Sequence, residues 1–298
     1  MSDDPIQDLV IGTASAIIAA HARPAFHVIM GIWYCAFGYN WDMSIDKIQI
    51  DHLRNLGEFR NELAHEVNAI SPENIQSPKT SIVGPALEAS KYYMDEGEIR
   101  QMFARLIATS MDKSRSDKTH HAFVDIIKML SPLDAKNLYY LYTLKDETIC
   151  NQVIRIAESG AYAIHRGNVW LGNPEKPEHN QQQVSIDNLV RLGLISVSYD
   201  RSISTDSFYE RHMSDEGYTK FANEVQALAD ARKNELDILL DHEIPLADED
   251  GNVIDEALRQ QLIEGFKTES TWQPDIQRGI ITLTAFGANL CEVCLPTM

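Results

Sequence analysis

Cysteines and histidines are the side chains best suited to metal or nucleophilic chemistry, and here their spacing argues against both. Cys291 and Cys294 form a C-x-x-C close to the C-terminus. A structural zinc site wants four Cys or His ligands, and no second pair completes the set, so both thiols are expected to pack as small apolar residues on a terminal helix. With Cys35 and Cys150 they are too few and too scattered for a disulfide framework. His65-Glu66 is followed by Val67, Asn68 and Ala69, which is no H-E-x-x-H zinc motif. His120-His121 stands beside Lys113, Arg115 and Lys118, the most basic local patch; Asp112 and Asp117 dilute it, and it reads as a solvated loop rather than a phosphate site. No glycine-rich phosphate loop and no G-x-S-x-G elbow occurs. Asp248-Glu249-Asp250-Gly251 invites a calcium loop, but with Gly251 at its sixth position the first and twelfth would be Leu246 and Ala257, neither an oxygen ligand. No catalytic residue, metal or cofactor is therefore expected, and the protein is read as a non-enzyme.

Charge narrows the partners. The 298 residues carry 26 Lys+Arg against 44 Asp+Glu, a net charge of −18. Duplex DNA is not an expected partner, because its phosphates demand a basic face. Residues 234–258 hold nine acids and no Lys or Arg, either a solvated face or a contact for a basic partner. A protein partner or self-association is the expectation.

Residues 9–41 stand apart, with Arg23 as their one Asp, Glu, Lys or Arg. Arg23-Pro24 divides them into two runs, each shorter than the ~20 apolar residues of a spanning helix. An apolar helical hairpin over 1–42 follows. It is either buried in the protein's own core or an oligomer, or it engages a membrane. Phe26, Ile29, Ile32, Trp33, Tyr34, Phe37 and Trp41 are its contact residues for a membrane or partner. The acidic N-terminus lacks the positive region of a secretory signal, so a cytoplasmic protein is expected, peripheral to the inner membrane if the hairpin meets lipid.

Further along, apolar residues recur at helical steps from Asp42 to Ile70. A helix is predicted from about Ile82, with Pro85 in its first turn. Asp95-x-x-Glu98 resembles a capping box ahead of Ile99, Met102, Phe103, Leu106 and Ile107, a one-faced helix. Phe123 to Leu130 repeats the pattern, and Ser131-Pro132-Leu133-Asp134 restarts it with Ser131 as N-cap. Ser131→Ala should then cost on the order of 1 kcal/mol and Asp134→Ala less. A short helix over Asn151–Glu158, a strand over Ala161–Leu171 and a loop over 172–183 are expected next. Ser185 to Leu192, stopped by Gly193, then leads into a strand at 194–199. Gly279 to Thr284 reads as a strand entering a helix capped by Thr284. These two junctions suggest a winged helix, interrupted by a helical insertion at about 214–270 that carries Tyr218, Phe221, Val225 and Leu228, then Leu258, Leu262, Ile263 and Phe266.

The run Ser81-Ile82-Val83-Gly84-Pro85-Ala86-Leu87-Glu88-Ala89, Glu98 to Asp112, His121 to Ile127 and Leu130 to Ala135 resembles the abortive infection alpha family of bacterial proteins. The ending, Leu283-Thr284-Ala285-Phe286-Gly287 with late cysteines, is similar to that family's ending. The resemblance implies defence against phage and carries no catalytic residue with it. The expected fold is mainly α: a hairpin over 1–42, a helical core over 43–148, and a winged-helix-like α+β domain over 149–298. The expected function is a non-enzymatic antiphage factor acting on the membrane through residues 9–41; the alternative is a winged-helix binding module contacting a protein.

Overall fold

The computed structural model describes residues 47–157, 159–241 and 256–296. Among them the order is α1 (Lys47–Asn68), α2 (Thr80–Ser90), α3 (Gly97–Ser110), α4 (Ala122–Ile127), α5 (Pro132–Leu144), β1 (Glu147–Ile156), β2 (Tyr162–Trp170), α6 (His179–Arg191), β3 (Ile195–Ser198), α7 (Ser207–Met213), α8 (Glu216–Leu240), α9 (Glu256–Glu269), β4 (Trp272–Leu283) and α10 (Ala285–Cys294). The protein is mainly helical, with one four-stranded sheet. Two compact units emerge. The described part of the first comprises 47–145, 185–196 and 283–296; the second comprises 146–184 and 197–282.

The first unit is built on α3. Ile99, Met102, Phe103, Leu106 and Ile107 are all fully buried, as their spacing predicts, each contributing about 1.5–3 kcal/mol. Helices α1, α2 and α10 pack against α3. On its polar side, the buried Arg100 joins α3 to α1: Nη2 meets Glu58 at 2.7 Å and Glu62 at 3.0 Å, while Nη1 donates to the Met94 carbonyl at 2.6 Å. Arg105 binds Glu66 at 2.8 Å and donates to the Leu295 carbonyl at 3.3 Å. Ser131 accepts from Asp134 N while Asp134 accepts from Ser131 N, the expected reciprocal cap. Thr284 caps α10 through Gly287 N at 2.9 Å, also as expected. Gly287 has no alternative: a Cβ there would lie 1.9 Å from the Leu194 carbonyl oxygen.

Several local expectations are corrected. The Asp95-x-x-Glu98 cap does not form, because Asp95 is taken by Asn55 and the N-cap shifts to Glu96, whose side chain makes no cap bond. Helix α2 begins at Thr80, leaving Pro85 inside it rather than in the first turn. The reason is a tether: Lys79 reaches the Ser116 carbonyl, and its own carbonyl accepts from Ile82 N and Val83 N, both at 2.9 Å.

The sheet runs in the order β2-β1-β4-β3, and the second unit holds β1, β2, β4 up to Thr282 and the last two residues of β3. Residues 151–156 are strand, not the expected helix; Ile149 and Val153 are fully buried, and β1 pairs with β4 from Glu147↔Ile281 to Ile156↔Trp272. The β-branched run Ile149, Val153, Ile154, Ile156 suits a central strand buried on both faces. The strand expected over 161–171 is β2. Tyr209 of α7 anchors the core beside Cys150, Val169 and Ile276, its hydroxyl donating to the Gly279 carbonyl at 2.9 Å. The helices expected at about 214–270 are α8 and α9; Phe221, Val225 and Ile263 are buried, whereas Leu228 and Leu258 are exposed. Arg259 joins the two by donating to the Leu239 carbonyl at 2.8 Å and the Asp241 carbonyl at 2.6 Å, satisfying carbonyls left open at the end of α8.

Candidate functional site

The second unit contains a cavity of about 760 Å³, within the ~300–1,000 Å³ range of small-molecule sites. A register irregularity in the sheet positions its floor. Cys150 faces Val169, but Gln152 faces Arg166 and Val153 faces Ile164, so β2 bulges on both sides of the Gln152–Arg166 pair. Such bulges re-aim side chains beside sites. Asn151 holds the bulge by accepting Asn168 N at 2.9 Å, with Asn168 at φ +54°. Gln152 and Arg166 both line the cavity.

The floor is polar and partly unsatisfied. Gln152 and Trp170 are 2% and 4% exposed, and neither Gln152 Oε1 nor Trp170 Nε1 has a hydrogen-bond partner. The half-buried His179, the first residue of α6, also carries an unpartnered Nε2; burial first, then Arg166, pushes its pKa down, keeping the ring neutral near pH 7. Buried polar atoms left open cost roughly 1–3 kcal/mol each, which makes their presence in one cavity informative. Gly172 fixes the indole, since a Cβ there would come within 2.4 Å of Trp170 Cζ2.

The rim is cationic. Arg166, Lys176 and Lys220 line it and make no ion pair among the described residues. Lys176 sits at φ +46°, an uncommon backbone for a lysine, within a turn closed by its N–H to the Asn173 carbonyl at 3.2 Å. Arg211 is otherwise engaged, by Glu147 and by Thr148 Oγ1 at 2.8 Å. Two acids share the lining: Asp215 accepts from Gly217 N at 2.9 Å as the cap of α8, and Glu216 is exposed. The lining thus combines unpartnered polar atoms with cationic side chains, and it presents no thiol.

None of the residues expected from sequence reasoning lies here. Phe26, Ile29, Ile32, Trp33, Tyr34, Phe37 and Trp41 fall outside the described residues, as does Asp248-Glu249-Asp250-Gly251. Among the described residues, no helix is long and apolar enough to cross a membrane. The basic patch near His120 is spent within the first unit: Arg115 donates to the Glu292 carbonyl, Lys113 to the Glu73 carbonyl and Lys118 to the Glu292 carboxylate. Cys291 and Cys294 are buried free thiols on α10, as expected. Arg166, Trp170 and Lys220 went unnoticed because β1, β2, α6 and α8 bring them together from distant stretches; no spacing in the chain marks them.

A family model described as abortive infection alpha matches residues 51–294, and the chain belongs to that family. No curated protein and no solved structure matches it.

Proposed function

We propose that this member of the abortive infection alpha family is a bacterial antiphage defence factor that works by binding rather than by catalysis. The family match over 51–294 carries the defence reading. The chemistry of the second unit supports the binding part. Its potential nucleophile, Cys150, has its thiol pushed up to about 12 by burial, so it stays protonated at neutral pH. Cys291 is pushed up to about 12 as well, and Cys294 well above the ordinary thiol value, in both cases by burial.

In this reading the chain from 149 to 298 is a winged-helix-like domain with its helical insertion, preceded by the core over 43–148 and the hairpin over 1–42. The α6–Gly193–β3 and β4–Thr284–α10 junctions form the wing's frame. The partner is a protein or a second copy, because −18 overall opposes a polyanion. The protein works in the cytoplasm, and residues 9–41, with one formal charge, bring it to the inner membrane as the effector step. Phage plaquing on cells with and without the gene is the decisive measurement; equal plating efficiency across a broad phage panel sinks the proposal. Flotation with liposomes tests the membrane step separately, and a protein that stays with the soluble fraction during infection rejects it.

A further inference from the structure

We infer that the cavity of the second unit is a binding site for a nucleoside phosphate. The claim goes beyond the defence reading and is independent of it, since binding is measured on the purified chain.

Three features select this ligand class. The first is charge. In a protein of net charge −18, Arg166, Lys176 and Lys220 gather at one rim and are not neutralised by ion pairs among the described residues. Like charges brought together without partners repel, so the cluster costs stability unless an anion occupies it. Asp215 and Glu216 temper the rim, and the three cations still outnumber these two carboxylates. A phosphate chain, which accepts several charge-assisted hydrogen bonds at once, suits a guanidinium and two ammonium groups lining one cavity.

The second feature is the floor. Trp170 has an unspent N–H donor and Gln152 an unspent carbonyl acceptor, both on lining side chains more than nine-tenths buried, and each turns toward the ligand on binding. The neutral His179 offers either role at Nε2. A bare phosphate or a carboxylate only accepts, and cannot use Gln152 Oε1. A nucleobase edge both donates and accepts. The third feature is shape and polarity: the half-buried Leu171 and Pro177 supply apolar surface against which a ring can lie, and about 760 Å³ accommodates a base, a sugar and its phosphates. A wholly apolar ligand would leave the floor unpaired and the rim cations desolvated.

Isothermal titration calorimetry on the full chain tests the assignment, with the magnesium salts of ATP, GTP, CTP and UTP as probes, and adenosine, guanosine and tripolyphosphate as controls. At least one nucleoside triphosphate should bind at least about tenfold more tightly than its nucleoside and than tripolyphosphate. Arg166→Gln and Lys220→Gln alter the rim without touching the core, and each should weaken the nucleotide about tenfold, the worth of a charge-assisted hydrogen bond. Trp170→Phe keeps an aromatic ring, though a smaller one, and removes the donor; it should weaken the nucleotide while leaving tripolyphosphate unchanged. No binding by any of the four nucleotides overturns the inference. So does tripolyphosphate binding as tightly as they do, or nucleotide binding indifferent to both rim variants. The rim variants keep the test decisive should Trp170→Phe fail to fold.

Discussion

The two units treat buried polar groups in opposite ways. In the helical unit they are used up: Arg100 has two carboxylates and a carbonyl, Thr109 donates to the Val293 carbonyl, and Ser110 to the Ile107 carbonyl. Among its described residues only Asp134 Oδ1 is buried without a partner, and Asp134 Oδ2 is shared by Ser131 N and Asn188. In the sheet unit, Gln152 Oε1, Trp170 Nε1, His179 Nε2 and His212 Nδ1 are all left open, and three of these four side chains line one cavity. Open polar atoms are a cost that packing alone gives no reason to retain. The difference separates a part whose buried polar groups tie it together from a part that leaves several of them open around a cavity. It also explains why the family's motif residues yield no chemistry: in this chain they are the helical unit's core, caps and ties.

The sharpest way to break the comparison is Gly287→Ala. If the helical unit is a tight frame, a methyl 1.9 Å from the Leu194 carbonyl oxygen has nowhere to go and the backbone must move. The loss should exceed about 3 kcal/mol, beyond the usual overpacking cost, because backbone rather than a side chain is struck. Urea denaturation reads it; a variant within 1 kcal/mol of wild type, in the same order-of-magnitude terms, would mean that the frame is loose.

Acid should single out the other unit. Burial, reinforced by Arg211, pushes the His212 pKa down to about 4, and the ring sits 3.1 Å from Thr148 Oγ1. Because the unfolded ring binds a proton near pH 6.5, this neutral histidine contributes fully above that pH. Its contribution is lost as pH falls toward 4, by roughly 3 kcal/mol at about 1.4 kcal/mol per unit. Hydrogen exchange followed from pH 7 to pH 4 should show protection falling first in 146–184 and 197–282. His212→Gln, which cannot titrate, should flatten that slope. An unchanged slope in the variant would assign the acid sensitivity elsewhere.

Arg100→Met tests the paired side. Removing the guanidinium strands Glu62, mostly buried, and Glu58, half exposed. The expected loss is about 3 kcal/mol, the low end for breaking a buried ion pair, given that water reaches Glu58. Arg100→Lys should recover part of it, since one ammonium cannot match the fork geometry. Equal stability of Arg100→Met and wild type in denaturant titration would show that the network is ornamental.

How legible these features are in the sequence depends on the range of the forces that set them. The α3 face, the Ser131 and Thr284 caps, and the helix–Gly193–strand junction are governed within one or two turns of chain, and they read out correctly. Expectations fail where a distant residue intervenes. Asn55 captures Asp95, Lys79 draws the start of α2 back, and pairing with both β2 and β4 makes a strand of 147–156 despite polar residues in its middle. Residues 179–183, read as loop for their glutamines, are the first turns of α6. The cavity is the extreme case: its floor and rim are assembled by strand register and bulge, which no local pattern encodes.

The smallest effect carries a reversal. On propensity alone, losing Asp134 at the third helical position should cost less than losing the N-cap hydroxyl of Ser131. Burial inverts the order. Asp134 is 2% exposed and accepts from Ser131 N at 2.8 Å and from Asn188 Nδ2 at 2.9 Å. Asp134→Ala therefore strands the Ser131 amide and removes one of the two bonds of Asn188 Nδ2, which keeps the Met129 carbonyl at 3.0 Å, and should cost about 2 kcal/mol, the middle of the range for buried groups left open. Ser131→Ala loses a single acceptor, 3.2 Å from Asp134 N at the helix surface, and should cost about 1 kcal/mol. Asp134→Asn keeps an acceptor oxygen and should fall between them. Chemical denaturation of the three variants ranks them; Ser131→Ala as the most damaging would show that the cap outweighs the tie to α6, and that the helical unit depends less on its long-range polar pairs than its architecture implies.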